Sequence, residues 1–461
     1  MPTRLTSIII PCWNQAEYTE ACLAALAANT PRGVEYELVL IDNGSTDRTP
    51  DLLARWPSLS GAAWRPGTYR VIRNEANLGF ARACNQGASE ARGEYLLFLN
   101  NDTAPQPGWL EPLVDALDAD PRTAAAGSLL LYPDGTVQHS GIGFLANGVP
   151  RHWNHRADPA SCEIVFEPRE LQAVTGACLL VRRAVFEDQG GFDEAFVNGV
   201  EDIDLCLKLR AEGWKVRYEP ASVLTHVASV SPRREADNAR NGSVYLSRWA
   251  PRVLPDMRRL ELLAEGKQPR VSALVATLDD AETIAVVLEL LCRCLSSRDE
   301  IVVVDRGSHD ATLEILARWA REDQRVALWR LDQLGERREA LDVGLRRAAG
   351  ELFLVVRPDV IRDSGDPWVE RALTAAAGRW LSDMEKPLAA PAVGAVSLAA
   401  DALSSPELEG GCVLIPRPVL EQVGLFGADP YTQIDGLGDR IRAAGFEIVR
   451  AGQDCGSGAR L

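Results

Sequence analysis

The chain has 461 residues, too many for one ordinary core, and predicts two domains of roughly 200 residues each. Apolar residues make up 46 % and charged residues 25 %, globular averages that exclude wholesale disorder. The net charge of -16 excludes general affinity for nucleic acid or an anionic membrane, while leaving room for a local basic pocket that takes a phosphate.

In chain order, the first predicted strand is "SIIIP", ending near Pro11 and followed by Asn14. A segment of helical period runs from Glu17 to Ala28. The strand "ELVLID" ends at Asp42 and runs into "NGSTD", which is turn and cap chemistry. "NLGFARACNQG", from Asn77, opens an amphipathic helix. "YLLFLN" is a further strand, with Asn101 and Asp102 just past its end. Short runs rich in Val, Ile and Leu fit buried parallel strands, and their alternation with helices calls for a doubly wound α/β sheet. Ligands bind such sheets outside the carboxyl ends of the strands, where Asn14, Asp42 and Asp102 fall.

Further along, "EDIDLCLKLRAEGW" predicts a helix with Glu201, Asp202 and Asp204 at its start, Lys208 and Arg210 in its last turns and Gly213 as its stop. That order complements the helix dipole. His226 ends the apolar run "ASVLTH". Residues 229–270 turn polar and Arg-rich, predicting a mobile loop and then a connecting helix within "RVLPDMRRLELLAEGK".

The second half repeats the first. "LTSIIIPCWNQAEYTEACLAAL" from Leu5 returns as "VSALVATLDDAETIAVVLELL" from Val271, and "ELVLIDNGSTDRT" returns as "EIVVVDRGSHDAT" from Glu300. "ARGEYLLFLNNDT" returns as "AAGELFLVVRPDV" from Ala348, and "GACLLVRRAVFEDQGGFD" as "GGCVLIPRPVLEQVGLFG" from Gly410. "LRAEGW" returns as "IRAAGF" from Ile441. Matches in the same order along the chain identify a tandem duplication with a shortened second copy.

The ten cysteines are scattered, and several (Cys178, Cys206, Cys412) sit in apolar runs. This suits reduced, buried thiols better than a disulfide framework or a zinc site; Cys292 and Cys294 are too close for the usual metal spacing. The apolar run at the N-terminus is too short for a signal segment, and no stretch approaches the roughly 20 apolar residues of a membrane span. The expected address is the cytoplasm, with no integral membrane segment.

A carboxylate at the mouth of a buried strand needs something positive beside it. For Asp102 a divalent cation carrying a pyrophosphate would serve, and a helix cap or turn reads equally well from "NDTAP". Carboxylates at a helix N-terminus stay ionised, which suits Glu201 and Asp202 to general-base work; dipole complementarity alone accounts for one acid but less well for three. His226 reads as a core residue unless Asp102 needs a companion. Trp153, in "GVPRHWNH", could stack on a sugar or belong to the core. No GxGxxG follows the first strand and no GxxxxGK[ST] occurs, which disfavours dinucleotide and P-loop chemistry.

Taken together and in order, "SIIIPCWNQ", "VLIDNGSTDRT", "RNEANLGFARACNQG", "GEYLLFLNNDT", "VTGACLLVRRAVFEDQGGFDE", "VEDIDLCLKLRAEGW" and "LTHVASVS" resemble the family 2 glycosyltransferases of GT-A fold, especially the bacterial rhamnosyltransferase-like members. The resemblance spans about residues 5–231 and is fainter in the second copy. It implies two tandem GT-A (nucleotide-diphospho-sugar transferase, Rossmann-like) domains, the second shortened. The implied division is a catalytic domain over 1–228, a loop and helical linker over 229–269 and a degenerate GT-A-like domain over 270–461.

The resemblance also implies roles. Asp42 holds the base or ribose of a UDP-, dTDP- or GDP-linked sugar, and Pro11, Asn14, Asn43, Asn77, Arg82 and Asn101 line the same pocket. Asp102 matches the last acid of the family's DxD metal motif, with Asn100 where the first acid would stand, and His226 completes the site for Mn²⁺ or Mg²⁺. Asp202, with Glu201 before it, matches the catalytic base of an inverting transfer to a glycan or glycoconjugate acceptor, the chemistry of cell-surface polysaccharide synthesis in the cytoplasm or at the inner face of the membrane. Arg233 and Arg234, on the expected loop, could close over the pyrophosphate.

In the second copy Asp305 stands opposite Asp42 and Asp359 opposite Asp102, but Arg357 and Pro358 replace the two asparagines. An arginine beside a cation site repels the ion. The Glu-Asp pair becomes "QIDGLGD", in which Asp435 matches only after a register shift, and no histidine follows. The expectation is a degenerate copy. Three rivals are a nucleotidyltransferase, disfavoured because "PCWNQAEY" lacks a Gly-rich basic signature, a non-catalytic carbohydrate-binding or scaffold protein, and a bifunctional polymerase using both copies.

Overall fold

The structure, a computed structural model, describes residues 5–30, 34–59, 68–145, 147–227, 234–250, 252–253, 256–331, 337–358, 393–397, 412–423 and 437–450. The chain divides into two compact units, Met1–Gly143 with Val149–Pro251, and Phe144–Gly148 with Arg252–Leu461. Residues 229–269, expected as a loop and one connecting helix, hold two helices among the described residues, one in each unit.

The first unit opens with β1 (Thr6–Cys12), α1 (Ala16–Asn29), β2 (Tyr36–Asp42), α2 (Thr49–Leu59), β3 (Tyr69–Arg73), α3 (Phe80–Glu90) and β4 (Tyr95–Leu99). These strands are parallel, in the order β3-β2-β1-β4. Each of the central three is buried along nearly its whole length, which is why "SIIIP", "ELVLID" and "YLLFL" read as unbroken apolar runs instead of alternating ones. Next come β5 (Thr103–Pro105), α4 (Glu111–Ala119), β6 (Thr123–Leu131), β7 (Val137–His139), β8 (Ile142–Phe144), β9 (Pro150–His152), β10 (Arg169–Leu171), β11 (Cys178–Arg182) and α5 (Arg183–Asp188). The unit closes with α6 (Glu201–Ala211), β12 (Lys215–His226) and α7 (Arg234–Arg248).

The sheet is mixed, not wholly parallel. Beyond β4 the order continues β11-β6-β12-β10, with β11 antiparallel to both β4 and β6. Sequence pattern could not show this, because "CLLVR" is buried on both faces and a buried run looks alike in either orientation. The antiparallel entry matters for function. It brings the segment just before β11 to the end of β4, where Asn100 N donates to the Ala177 carbonyl at 3.0 Å.

The second unit holds α8 (Met257–Ala264), β13 (Val271–Thr277), α9 (Ile284–Cys294), β14 (Glu300–Asp305), α10 (Thr312–Glu322), β15 (Val326–Arg330), α11 (Arg337–Leu345), β16 (Leu352–Val356), β17 (Val393–Ser397), β18 (Cys412–Pro416), α12 (Arg417–Val423), α13 (Leu437–Ala443) and β19 (Glu447–Arg450). Its sheet order, β15-β14-β13-β16-β18-β17-β19, matches β3-β2-β1-β4-β11-β6-β12 strand for strand. The orientations match too, including an antiparallel β18 between β16 and β17. Buried apolar side chains form two core clusters in this unit. The nine cysteines among the described residues are free thiols. Among the described residues, no helix is long and apolar enough to cross a membrane.

Candidate active site

The carboxyl ends of β1, β2 and β4 share one rim of the first sheet. Asp42 ends β2 and is 1 % exposed. Its Oδ1 accepts from Ser45 N at 2.9 Å. Its Oδ2 is buried and receives no hydrogen bond; the nearest cation is the Arg73 guanidinium, at an ion-pair distance of 3.6 Å. A buried carboxylate oxygen left in this state is costly, and a ligand N–H or O–H would satisfy it.

The neighbouring asparagines are spent on the loops themselves. Asn14, at φ 56°, accepts through Oδ1 from Thr46 N at 2.8 Å and Asp47 N at 3.3 Å, while its own N–H reaches Ser45 Oγ. Asn43 donates to Asn77 Oδ1 at 2.9 Å and accepts from Asn74 Nδ2 and Leu78 N. Asn101 donates to Thr19 Oγ1. Pro11 lies on β1 beside Ile41, and exposed Arg82 pairs with Glu194 on the surface. The side chains of Asn14, Asn43 and Asn77 therefore fasten the loops next to Asp42.

The same first-loop geometry recurs in the second unit. Asp279 sits at φ 51°, its N–H reaches Ser308 Oγ at 3.0 Å, and its Oδ1 accepts from His309 N at 2.7 Å. Ala16 N to Asp47 Oδ2 has its counterpart in Ala281 N to Asp310 Oδ2, and Arg73–Asp42 has its counterpart in Arg330–Asp305 at 3.5 Å. Arg233, Asp359, Gln433 and Asp435 lie outside the described residues, as does the side chain of Arg234.

Asp102 and His226 meet because β5 pairs with the end of β12, setting His226 opposite Thr103. His226 Nε2 stands 3.1 Å from Asp102 Oδ1, and both side chains are buried. Gln138, on β7, clasps the histidine from behind. Its Nε2 donates to the His226 carbonyl at 3.0 Å, which turns its Oε1 towards His226 Nδ1, 2.5 Å away. An amide oxygen only accepts, so Nδ1 carries a hydrogen, and Nε2 is the ring atom that faces the Asp102 carboxylate. One carboxylate oxygen and one imidazole nitrogen this close together are a pair of donors that could ligate Mn²⁺ or Mg²⁺. The donor set fits a cation completed from outside the protein. Among the described residues no group of three or more His, Cys, Asp or Glu side chains could hold a metal alone.

Asp202 lies in the first turn of α6 and reaches the same rim. Its Oδ2 accepts from Gly176 N at 2.6 Å, and Gly176 directly precedes Ala177, whose carbonyl takes the Asn100 N–H. This short chain of bonds joins the Asp202 carboxylate to the end of β4 that carries Asp102. A Cβ on Gly176 would stand 3.0 Å from Asp202 Cβ, so the glycine gives the aspartate its seat. Glu201, beside it, is buried.

The turn before α6 is strained. Val200 has φ 78° and ψ −17°, a left-handed conformation that a β-branched residue occupies at a cost of about 1–3 kcal/mol. Two structures hold it there. From one side, Phe80 N donates to the Val197 carbonyl at 2.9 Å and to Asn198 Oδ1 at 3.2 Å. Gly79 allows this approach, because a Cβ there would come within 2.8 Å of the Val197 oxygen. The other side is α7. No sequence signal marked either Val200 or α7.

Trp153 is corrected. Its ring is 1 % exposed and is covered by the Arg169 guanidinium at 4.6 Å, so it packs as core and offers no platform to a sugar.

The profile of glycosyl transferase family 2 matches residues 7–190 and 272–377, more than half of the chain and both units. The chain belongs to glycosyl transferase family 2. Among curated relatives of this family 2 chain, the O-antigen biosynthesis protein RfbC of Myxococcus xanthus is 36 % identical over 243 residues, covering 51 % of this chain and 18 % of that protein. An N-acetylglucosaminyl-diphospho-decaprenol L-rhamnosyltransferase of Mycobacterium tuberculosis is 30 % identical over 276 residues, covering 53 % of this chain and 84 % of that enzyme. An uncharacterized Sinorhizobium fredii protein is 32 % identical, and only 28 % of its length is spanned. The chain thus spans less than a third of two of these relatives. A solved structure of GalNAc-T7 with UDP, GalNAc and Mn²⁺ aligns at a TM-score of 0.41 and 21 % identity, over 50 % of this chain and 45 % of that one.

Proposed function

We propose that the first unit transfers a sugar from a nucleotide-diphosphate donor to a hydroxyl of a glycan or glycoconjugate acceptor, in cell-surface polysaccharide synthesis. The observation that carries this reading is the bond chain from Asp202 through Gly176 and Ala177 to Asn100. It ties the Asp202 carboxylate to the end of β4, three residues before Asp102, on the sheet rim where β2 ends at Asp42, and this supports the reading.

In this reading Asp42 accepts from the nucleoside, and Pro11, Asn14, Asn43, Asn77, Arg82 and Asn101 form the surrounding wall. Asp102 and His226 would hold a divalent cation, which when bound would supply Lewis-acid relief of the charge that builds on a departing diphosphate. Asp202 takes the proton of the acceptor hydroxyl, whose oxygen attacks the anomeric carbon from the face opposite the leaving group, so a single displacement inverts the centre. Gly176 N–H, donating to Oδ2, and Ile203 N–H, donating to Oδ1, orient the carboxylate during that step. The second unit, with Arg357 beside the strand end, is a degenerate copy that packs or holds acceptor. The relatives' names, one a rhamnosyltransferase and one an O-antigen biosynthesis protein, support a bacterial surface glycan as the acceptor class; the donor in this reading is a UDP-, dTDP- or GDP-linked sugar.

Release of nucleoside diphosphate from a panel of nucleotide sugars with Mn²⁺ tests the reading. Asp202→Asn should lower the rate about 10²–10⁴-fold with donor binding kept. Turnover that survives the substitution would move the base elsewhere, and a half-rate remnant would return the second unit to the chemistry.

A further inference from the structure

Asp202 is only as well placed as the turn that delivers it, and that turn is held against its own preference. Val200, two residues before the aspartate, sits at φ 78°. Relaxation to an ordinary backbone angle would re-aim the first turn of α6, because Glu201 and Asp202 follow without a break. Among the described residues, Asn241 opposes that relaxation.

Asn241 lies on α7 and is 0 % exposed. A fully buried asparagine inside a helix contributes little to the helix itself, and here its carboxamide is spent wholly outside it. Nδ2 donates to the carbonyls of Asn198 and Gly199, each at 2.9 Å, and Oδ1 faces Val197 N at 3.4 Å. These three contacts grip three of the four residues of the turn from 197 to 200. The helix is anchored in its turn to α6. Asp204 accepts from Arg248 and from Trp249 Nε1, each at 2.7 Å, and pairs with Lys208 at 2.8 Å; Arg248 also reaches Asp193. The buried carboxylate of Asp204 therefore fixes α7 to the helix whose first turn carries the base, and Asn241 uses that fixed frame to pin the strained turn. Both α6 and α7 lie beyond the residues 7–190 that the family profile matches in this unit.

We propose that Asn241 is a positioning residue for Asp202, acting by clamping the Val197–Val200 turn in its left-handed conformation. The proposal rests on the reading of Asp202 as the base for its functional meaning, but its physical content is tested without any turnover. Gly176 N–H donates to Asp202 Oδ2, so its hydrogen exchange in the full chain reports whether the carboxylate is seated.

Asn241→Asp, which keeps the size and loses both donated bonds, should speed exchange at Gly176 about tenfold or more while the buried amide of Leu97 in β4 stays protected. Adding Val200→Gly, which removes the penalty of the left-handed angle, should restore protection at Gly176 in the Asn241→Asp background. On any nucleotide sugar that the wild type turns over, kcat should fall in parallel with donor KM unchanged, and the same second substitution should recover it. Unchanged exchange at Gly176 in Asn241→Asp overturns the proposal. So does faster exchange at Gly176 and Leu97 together, or a loss that Val200→Gly leaves uncorrected, since either marks general loosening. Turnover that survives Asp202→Asn refutes the base assignment alone, and the exchange result still decides the clamp.

Discussion

Gly176→Ala isolates the seat of Asp202. The new methyl would lie 3.0 Å from Asp202 Cβ and 3.4 Å from Oδ2, inside the roughly 3.5–4.0 Å of an ordinary carbon contact. Asp202 belongs to the first turn of α6, and the turn behind it is already strained at Val200, so the carboxylate cannot retreat without moving the helix start. A shift on the order of 0.5–1 Å breaks the 2.6 Å bond from Gly176 N, a charge-assisted bond of about 1.5–3 kcal/mol. If that bond holds the base in its working position, kcat falls about 10–100-fold, in line with the cost of misplacing a reacting group by about 1 Å. The donor pocket around Asp42 is untouched, so donor KM should stay within about twofold. The assay is nucleoside-diphosphate release at saturating donor, with the melting temperature measured beside it. A kcat equal to wild type in a variant whose crystal structure shows Asp202 displaced would refute the link between this seat and catalysis.

Other outcomes follow from the same geometry. Asp42→Asn, which converts one acceptor oxygen to a donor, should weaken nucleotide binding about 10–100-fold by calorimetry, the worth of a hydrogen bond to a charged group. Gln138→Leu removes the clasp that fixes the His226 tautomer and should weaken Mn²⁺ binding about 10–100-fold, read by electron paramagnetic resonance of free Mn²⁺. His139 is held neutral well below its ordinary range, first by burial and then by nearby His152 and His226. The unfolded chain takes up a proton below about pH 6.5 that the folded one refuses, so stability should fall as pH drops through that range, by up to about 1.4 kcal/mol per pH unit. Urea unfolding at several pH values should show that slope, and His139→Phe should remove one proton's share of it.

How much of this was legible in the sequence depended on what kind of signal each residue leaves. The internal repeat could be read because five segments recur in order, and the strand orders of the two units match. Asp102 could be tied to His226 only through the resemblance, because β5 and the end of β12 are far apart in the chain. Asn14, Asn43 and Asn77 were expected to line the donor pocket, and in the structure their carboxamides fasten loops; a polar residue after a strand looks the same whether it binds a ligand or ties a turn. Trp153 sits beside histidines and an asparagine in sequence yet is buried under Arg169. The antiparallel β11 leaves no trace in an apolar run. Val200 and Asn241 were invisible for a plainer reason, since nothing in "NGVED" or "NARNGS" reports a backbone angle or a long-range carboxamide contact.

The turn shared by Asn14 and Asp279 has a consequence for mutational scanning. Its bonds close a loop after the first strand in each half, whichever half meets a substrate. A scan scored by protein abundance should therefore flag Asn14, Asp47, Asp279 and Asp310 alike. A scan scored by product should separate them, and the difference between the two maps, position by position, would show where this duplicated chain keeps a motif in order to fold and where it keeps one in order to work.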